Sequence, residues 1–238
     1  MLVFIHGLCN IPDAWDKITN YFNNKGFSCK SVDLREGLDL KKTSFKDYVE
    51  KVKKTINEED ILIGHSLGGL IVQKIAEEKK IKAGVAICSA PPRGIKYKIN
   101  ILQTLPAIKY LPNIIFNCPF KPEYSLAKKF LLAGIDAEEE TQAKIEYKRL
   151  EKDSAIVTKE LLMGKIKVDE KKVTCPLLFI ASIKDKGIPP DSVKGMVKKY
   201  NAEYKEYNCC HHFFLNKNWE EVAAGIYDFI YRLNKEKQ

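Results

Sequence analysis

Short apolar runs alternate with amphipathic, lysine-rich segments along most of the chain. Each run is rich in Val, Ile, Leu or aromatic residues, and the segment after it places its apolar residues at helical spacing. This alternation is typical of a parallel β-sheet that is covered by helices. It predicts an α/β protein with six strands, all parallel, which lie at Leu2–Ile5 and in FSCKSVDL, DILIG, IKAGVAICSA, PLLFIAS and AEYKEYN.

The helices predicted between these strands each have one apolar face. In AWDKITNYFNNKG that face consists of Trp15, Ile18, Tyr21 and Phe22. In SFKDYVEKVKKTINEED it consists of Phe45, Tyr48, Val49, Val52 and Ile56. Further helices are predicted in LGGLIVQKIAEEKK, DSVKGMVKKY and WEEVAAGIYDFIYRLNKE.

One long interval breaks the alternation. Between Pro92 and Pro176 lie about 80 residues without a strand pattern, which is too long for a simple connection in a compact domain. The interval contains the proline-punctuated apolar stretch ILQTLPAIKYLPNIIF and then the helical patterns SLAKKFLLAG and AEEETQAKIEYKRLEKDSAIVTKELLMG. We therefore predict a helical cap at residues 93–172, inserted into a core formed by residues 1–92 and 173–238.

The composition indicates which kinds of partner the protein binds and in which compartment it acts. The 238 residues carry a formal net charge of +9, but the lysines are interleaved with acids, as on solvated helix faces, and no basic run with aromatic residues suggests nucleic-acid binding. The seven cysteines are odd in number and have no C-x-x-C spacing, which favours reduced thiols in a cytoplasmic protein. The N-terminus lacks the charged start of a signal peptide, and no apolar run approaches the roughly 18 residues that span a bilayer.

Candidate chemistry begins at DILIGHSLGGL, residues 60–70. Here an apolar strand runs into Gly64-His65-Ser66-Leu67-Gly68 and then into an amphipathic helix. In a Gly-x-Ser-x-Gly turn the serine adopts a strained backbone and presents its hydroxyl at the carboxyl edge of the sheet, and only small residues fit two positions away on either side. The context therefore predicts Ser66 as a nucleophile.

A serine nucleophile needs a base, which is in turn oriented by an acid. The chain has four histidines, of which His6 ends the first strand and His65 lies within the turn, so His211 and His212, in the loop after the last strand, are the candidates for the base. Asp185 follows the strand PLLFIAS and is the candidate acid, whereas Asp33 and Asp191 fit turn and helix-start positions. A metal site in Cys209-Cys210-His211-His212 is disfavoured, because adjacent ligands wrap one ion poorly. We predict no metal and no cofactor.

These motifs resemble the α/β-hydrolase superfamily, and specifically its small capped esterase and lipase-like members. VFIHG resembles the family's first strand and oxyanion loop, GHSLGG its nucleophile turn, and HHFFLNKNWEEVAAGIYDFI its histidine loop and closing helix. The resemblance implies a triad of Ser66, Asp185 and His212, with His212 favoured over His211 by alignment of the closing helix at Val222. It also implies an oxyanion hole formed by the backbone N–H groups of Leu8 and Leu67, with His6, Gly7, Gly64 and Gly68 in support.

The resemblance also sets the expected function. A serine hydrolase of this kind cleaves carboxylic esters, and we expect short to medium acyl chains, with monoacylglycerols among the candidate substrates, because the cap is rich in apolar residues. The same triad serves thioesterases and hydrolases of carbon–carbon bonds in ring-fission products. A non-catalytic receptor for a small ligand on the same fold is the alternative from another class. No stable insertion into a membrane is expected.

Overall fold

The architecture of the computed structural model, which describes residues 1–96, 105–132 and 134–235, is a single parallel sheet between two layers of helices. Its six strands are arranged in the order β2-β1-β3-β4-β5-β6, and every adjacent pair is parallel, as predicted. The strands are β1 (Leu2–Ile5), β2 (Cys29–Val32), β3 (Ile61–His65), β4 (Ala83–Ile87), β5 (Leu177–Ser182) and β6 (Glu203–Tyr207). Among the described residues, no helix is long and apolar enough to cross a bilayer.

The helices of the sheet layers follow the predicted order. They are α1 (Asp16–Asn23), α2 (Phe45–Lys53), α3 (Leu67–Glu78), α8 (Pro190–Tyr200) and α9 (Trp219–Lys235), where α4 to α7 lie between β4 and β5. Helix α2 begins at a capping box, in which the Asp47 carboxylate accepts from the Ser44 N–H at 2.8 Å. The predicted helix in SFKDYVEKVKKTINEED is therefore right at its start but too long, because α2 ends at Lys53.

Alternation along the strands divides the core into two layers. On β1, Val3 and Ile5 face the layer formed with α2, α3 and α8, whereas Leu2 and Phe4 face the layer formed with α1 and α9. The central strands are buried on both faces, and for this reason they read as continuous apolar runs rather than as alternating ones.

The segment between β4 and β5 contains helices. They are α4 (Leu111–Ile115), α5 (Tyr124–Phe130), α6 (Glu140–Arg149) and α7 (Ala155–Leu162), with 3-10 turns at Leu105–Tyr110, Ala137–Glu139 and Glu170–Lys172. The pattern that we read as continuous from 137 to 164 is broken between α6 and α7, because Asp153 bridges to Phe120 and the Ser154 hydroxyl caps α7. Residues 97–104 and 133, which belong to the predicted cap, lie outside the described residues.

Two glycines allow the chain to turn sharply between β3 and α3. A Cβ on Gly64 would lie 2.2 Å from the carbonyl oxygen of Gly68, and a Cβ on Gly68 would lie 2.2 Å from the carbonyl oxygen of Ile5. Real Cβ atoms do not approach backbone so closely. The start of α3 therefore packs directly on the end of β1, and the residues after β1 are brought beside Ser66.

This packing predicts that Gly68→Ala destabilises the protein by about 3 kcal/mol, because backbone must move to admit the methyl group. Gly195→Ala is the matched control, since its Cβ would meet only the Ile95 side chain at 3.4 Å and glycine is unfavourable inside a helix. We expect this control to be neutral or to stabilise by up to about 1 kcal/mol. Urea unfolding of both variants checks this, and an unchanged midpoint for Gly68→Ala would contradict the close packing.

Candidate active site

Ser66 occupies a backbone conformation that few side chains adopt. Its φ of 54° and ψ of −114° lie outside the helix and strand regions. The conformation is held from both sides, because the Ser66 N–H donates to the Ile87 carbonyl at 2.9 Å and the Ser66 carbonyl accepts from the Ala90 N–H at 2.9 Å. Strain that is held in this way occurs preferentially at functional sites. The Ser66 side chain is thereby presented at the carboxyl edge of the sheet, between the ends of β1 and β4.

The loop after β1 forms the second side of the site. His6 is fully buried, donates from Nδ1 to the Gly7 carbonyl at 2.8 Å and accepts from the Leu34 N–H at Nε2, at 3.1 Å. With both nitrogens engaged, His6 ties the end of β1 to the loop after β2. Its role is to hold the turn at Gly7, where a Cβ would lie 3.1 Å from the Cβ of Ser66.

Asp185 is held in a single orientation at the end of β5. One carboxylate oxygen accepts from the N–H groups of Gly187 and Ile188, each at 2.8 Å. The other accepts from Nδ1 of His211 at 2.6 Å. The side chains of Asp185 and His211 are both buried, so this charge-assisted hydrogen bond is protected from water.

His211 is fixed at a second point by His65, the residue before the serine. The Nε2–H of His65 donates to the carbonyl oxygen of His211 at 2.8 Å, and the two rings lie 4.9 Å apart. Burial and the neighbouring His211 lower the pKa of His65, so that its ring is neutral. The structural role predicted for His65 thus takes a specific form, in which it anchors the backbone of the histidine that contacts Asp185.

The prediction that Asp185 pairs with His212 is wrong. The His212 side chain packs against the rings of His65 and Phe214, its Nε2 is buried without a hydrogen-bond partner, and burial, with His211 and Arg149, lowers its pKa to about 3. Consecutive residues here project in different directions, so only one of the two histidines can reach the carboxylate. The histidine that contacts Asp185 is therefore the residue before the one that alignment on the closing helix favoured.

Buried polar contacts that sequence reasoning missed hold the loop after β1 from the other side. Asp153 accepts from the Cys9 N–H at 2.7 Å and from the Tyr48 hydroxyl at 2.5 Å, and the Arg35 guanidinium lies 3.6 Å away. Cys9 has a positive φ of 61°, a conformation that this contact helps to hold. The residue that follows Leu8 is therefore anchored to the segment between β4 and β5. No local sequence pattern signals this contact, because Asp153 and Cys9 are 144 positions apart.

The histidine loop is anchored to the same segment. The Asn216 side chain accepts from the Cys210 N–H at 2.7 Å and donates to the Glu139 carboxylate at 2.7 Å. Asn216 is buried. Each loop that flanks Ser66 thus has a buried polar contact to its backbone. Asp153 fixes the first loop at Cys9, next to Leu8, and Asn216 fixes the second at Cys210, next to His211.

A cavity of about 160 Å³ opens beside Ser66. Among the described residues its lining is apolar apart from Ser66 and His211, and it includes Leu8 and Leu67, whose amides are the predicted oxyanion donors. Leu67 is the first residue of α3, so its N–H has no partner within the helix. The other lining residues are Ala90, Pro91, Phe130, Leu131, Leu161, Leu162, Gly187 and Ile188.

One group of side chains beneath the site has the composition of a metal site. Ligand atoms of His65, Cys88 and His211 lie within 4.8 Å of one another. His65 and His211 each use only one ring nitrogen in the hydrogen bonds described above. The third member, Cys88, is a thiol that donates to the Ser182 hydroxyl at 3.0 Å. Burial and the nearby Asp185 raise the pKa of the Cys88 thiol, which keeps it protonated, whereas metals bind the thiolate. This arrangement fits a structural thiol better than a metal ligand.

Comparison with known proteins identifies the family. Residues 1–216 match the family described as "Serine aminopeptidase, S33", and the chain belongs to this family of α/β-hydrolases. Its fold, with a six-stranded parallel sheet flanked by helices, is that of the superfamily.

Individual relatives are distant but match along nearly their whole length. Salicylic acid-binding protein 2 of Nicotiana tabacum is 22% identical over 98% of this chain and 97% of its own. A methylesterase from Arabidopsis has a TM-score of 0.72 at 17% identity, covering 96% of this chain and 98% of its own. A monoacylglycerol lipase from Paleococcus ferrophilus has a TM-score of 0.69 at 19% identity, covering 98% and 94%.

The buried His212 predicts a specific pH dependence of stability. Its pKa is about 3 in the folded protein and about 6.5 when exposed, so between these values the unfolded chain binds more protons and stability falls as the pH falls. Acidification from about pH 7.5 to about pH 5 should lower the free energy of unfolding by about 2 kcal/mol through this residue.

Urea unfolding of wild type and His212→Gln at the two pH values isolates the effect, because the other titrating groups are common to both proteins. The variant should lose about 2 kcal/mol less than wild type on acidification. Equal losses in the two proteins would mean that His212 is not held neutral by burial.

Proposed function

We propose that this protein is a serine hydrolase of carboxylic esters, in which Ser66 is the nucleophile, His211 the base and Asp185 the acid. The observation that carries the proposal is the 2.6 Å contact between Asp185 and Nδ1 of His211 beside a serine at φ 54°. Ser66 and His211 line the same cavity. His211 replaces the His212 of the sequence-based prediction, while Ser66 and Asp185 keep their predicted roles.

The reaction follows from the roles of these groups. His211 takes the proton of the Ser66 hydroxyl as the oxygen attacks the ester carbonyl, and the carboxylate of Asp185 stabilises the imidazolium that forms. The amides of Leu8 and Leu67 donate to the oxyanion of the tetrahedral intermediate. The imidazolium then gives its proton to the leaving alkoxide, and water, activated by His211, releases the acid from the acyl-enzyme.

The cavity favours a neutral ester with a small group near the bond that is cleaved. Its volume of about 160 Å³ is below the 300–1,000 Å³ that is usual for drug-sized ligands. Its described lining contains no lysine or arginine, which favours an uncharged substrate over the anionic products of ring fission. In addition, the proteins of similar structure include a methylesterase, a polyneuridine aldehyde esterase and a monoacylglycerol lipase.

We further propose that residues 93–172 act as a cap over this site. Four of the residues that line the cavity, Phe130, Leu131, Leu161 and Leu162, belong to this segment. The contacts of Asp153 with Cys9 and of Glu139 with Asn216 join it to both loops beside Ser66. A segment placed in this way determines which substrates reach the serine.

We also propose that the protein is cytoplasmic. All seven cysteines are free, and Cys9, Cys88, Cys209 and Cys210 are buried. Free thiols in this number are typical of a reducing compartment.

Hydrolysis of p-nitrophenyl esters tests the proposal. We expect turnover of acetate and butyrate esters, with rates that decrease toward palmitate because the cavity is small. Ser66→Ala should lower kcat by at least about a thousandfold without a change in thermal stability. Equal inactivity of wild type and variant would contradict the esterase assignment. It would favour a ligand-binding role, as in the name of the salicylic acid-binding protein 2 of Nicotiana tabacum.

The two adjacent histidines provide a matched pair for the base. His211→Gln should lower kcat by about a thousandfold, because the residue that accepts the serine proton is lost. The kcat of His212→Gln should stay within about tenfold of the wild-type value. The His212 ring does not contact Asp185, and its Nε2 makes no hydrogen bond. The reverse ranking of the two variants in kcat, at equal folded fraction, would assign the base to His212.

A further inference from the structure

A face of the segment between β4 and β5 exposes large apolar side chains. Ile108 is 62% exposed, Leu111 52%, Ile115 59% and Phe116 72%. Spacings of three and four residues place Ile108, Leu111 and Ile115 on one side of the helical stretch formed by the 3-10 helix Leu105–Tyr110 and α4, and Phe116 follows directly at the end of α4. We call these four residues the α4 face. An apolar cluster of this kind commonly marks an interaction site.

The α4 face continues toward the substrate cavity. Helix α4 lies against α7, and the last residue of α7, Leu162, is 60% exposed while it also lines the cavity beside Ser66. Met163, the next residue, is 58% exposed. The cavity therefore meets solvent at a rim of exposed apolar side chains that leads to the α4 face.

The stretch that carries the α4 face has an excess of basic residues. Residues 105–132 contain four lysines, at positions 109, 121, 128 and 129, against one acid, Glu123, which gives a formal net charge of +3. Lys109 pairs with Glu123 and Lys128 with Glu140, whereas Lys129, and Lys165 just beyond α7, are exposed. The chain that forms and flanks the α4 face is therefore basic.

We propose that the α4 face docks on an anionic lipid surface. Exposed apolar side chains that are flanked by basic residues match a lipid layer in both respects, because the apolar groups enter the acyl boundary and the cations meet the headgroups. A symmetric contact with a second copy of the chain fits less well, since it would bring the same basic residues of the two copies together.

Docking in this orientation would place the cavity at the lipid surface. The rim at Leu162 would then face the layer, so an ester dissolved in the lipid could enter the cavity with its reacting end while its longer part stays in the acyl region. This delivery step rests on the proposed esterase function, whereas the docking itself does not.

The experiment measures vesicle binding of the full chain by co-sedimentation, with Ser66→Ala as the parent so that hydrolysis plays no part. The vesicles consist of phosphatidylcholine, either alone or mixed with phosphatidylglycerol. The test variant is Ile115→Ser/Phe116→Ser. The matched control is Ile145→Ser, which removes an apolar side chain that is 48% exposed on another helix, α6.

We expect the parent and the control to bind the anionic vesicles, with binding weakened by salt, and the test variant to lose at least about tenfold in partitioning. Absence of parent binding to the anionic vesicles would overturn the proposal, and so would equal binding of test and control variants.

Sedimentation velocity without lipid adds a further outcome. If the parent self-associates and the test variant does not, the face is an interface between copies and the lipid proposal fails. Because no variant needs to be active, these failures are distinct from failure of the esterase assignment.

Discussion

The close packing of α3 against β1 is the constraint on which the rest of the site depends. Gly68 lies so near the Ile5 carbonyl that no side chain fits between them, and Gly64 contacts the first turn of α3 in the same way. With the helix start fixed there, Ser66 adopts a backbone of positive φ, which hydrogen bonds to Ile87 at the end of β4 and to Ala90 in the loop after it hold in place. The same packing brings Gly7 and Leu8 beside the serine, because they follow Ile5 directly along the chain.

The histidine depends on contacts made at both of its ends. Asp185 holds the ring of His211 and His65 holds its backbone carbonyl, so the residue before Ser66 also positions the histidine that contacts Asp185. Farther out, Asn216 and Asp153 connect the two flanking loops to the helical segment between β4 and β5. Apart from the half-buried contact of Asn216 with Glu139, these contacts are buried, and buried polar groups are costly to leave unpaired. A rearrangement of the helical segment would therefore disturb both loops beside Ser66.

Local patterns in the sequence predicted those features of the fold that depend on neighbouring residues alone. The six strands could be predicted because burial on both faces requires continuous apolar runs, and the sharp turn at Ser66 could be predicted because it requires glycine at positions 64 and 68. Which of His211 and His212 contacts Asp185 could not be predicted in this way. It depends on the direction in which each side chain leaves the loop, whose path includes the 3-10 turn Phe213–Leu215 and the contact with Asn216. The break between α6 and α7 escaped prediction for a similar reason, since Asp153 is held by residues distant in sequence. Asp185 combines both cases. Its position after the end of β5 could be predicted from the strand pattern, but the histidine that it contacts could not.

Covalent labelling with a fluorophosphonate tests the central claim most directly, because this reagent reacts with a serine that is activated by a neighbouring base. Peptide mapping by mass spectrometry identifies the modified residue. We predict one adduct per folded chain, on the peptide that contains Ser66, with rapid labelling of wild type and His212→Gln and slow labelling of His211→Gln. Labelling at another residue, no labelling of the folded wild type, or equal rates in wild type and His211→Gln would contradict the assignment of Ser66 and His211 as nucleophile and base.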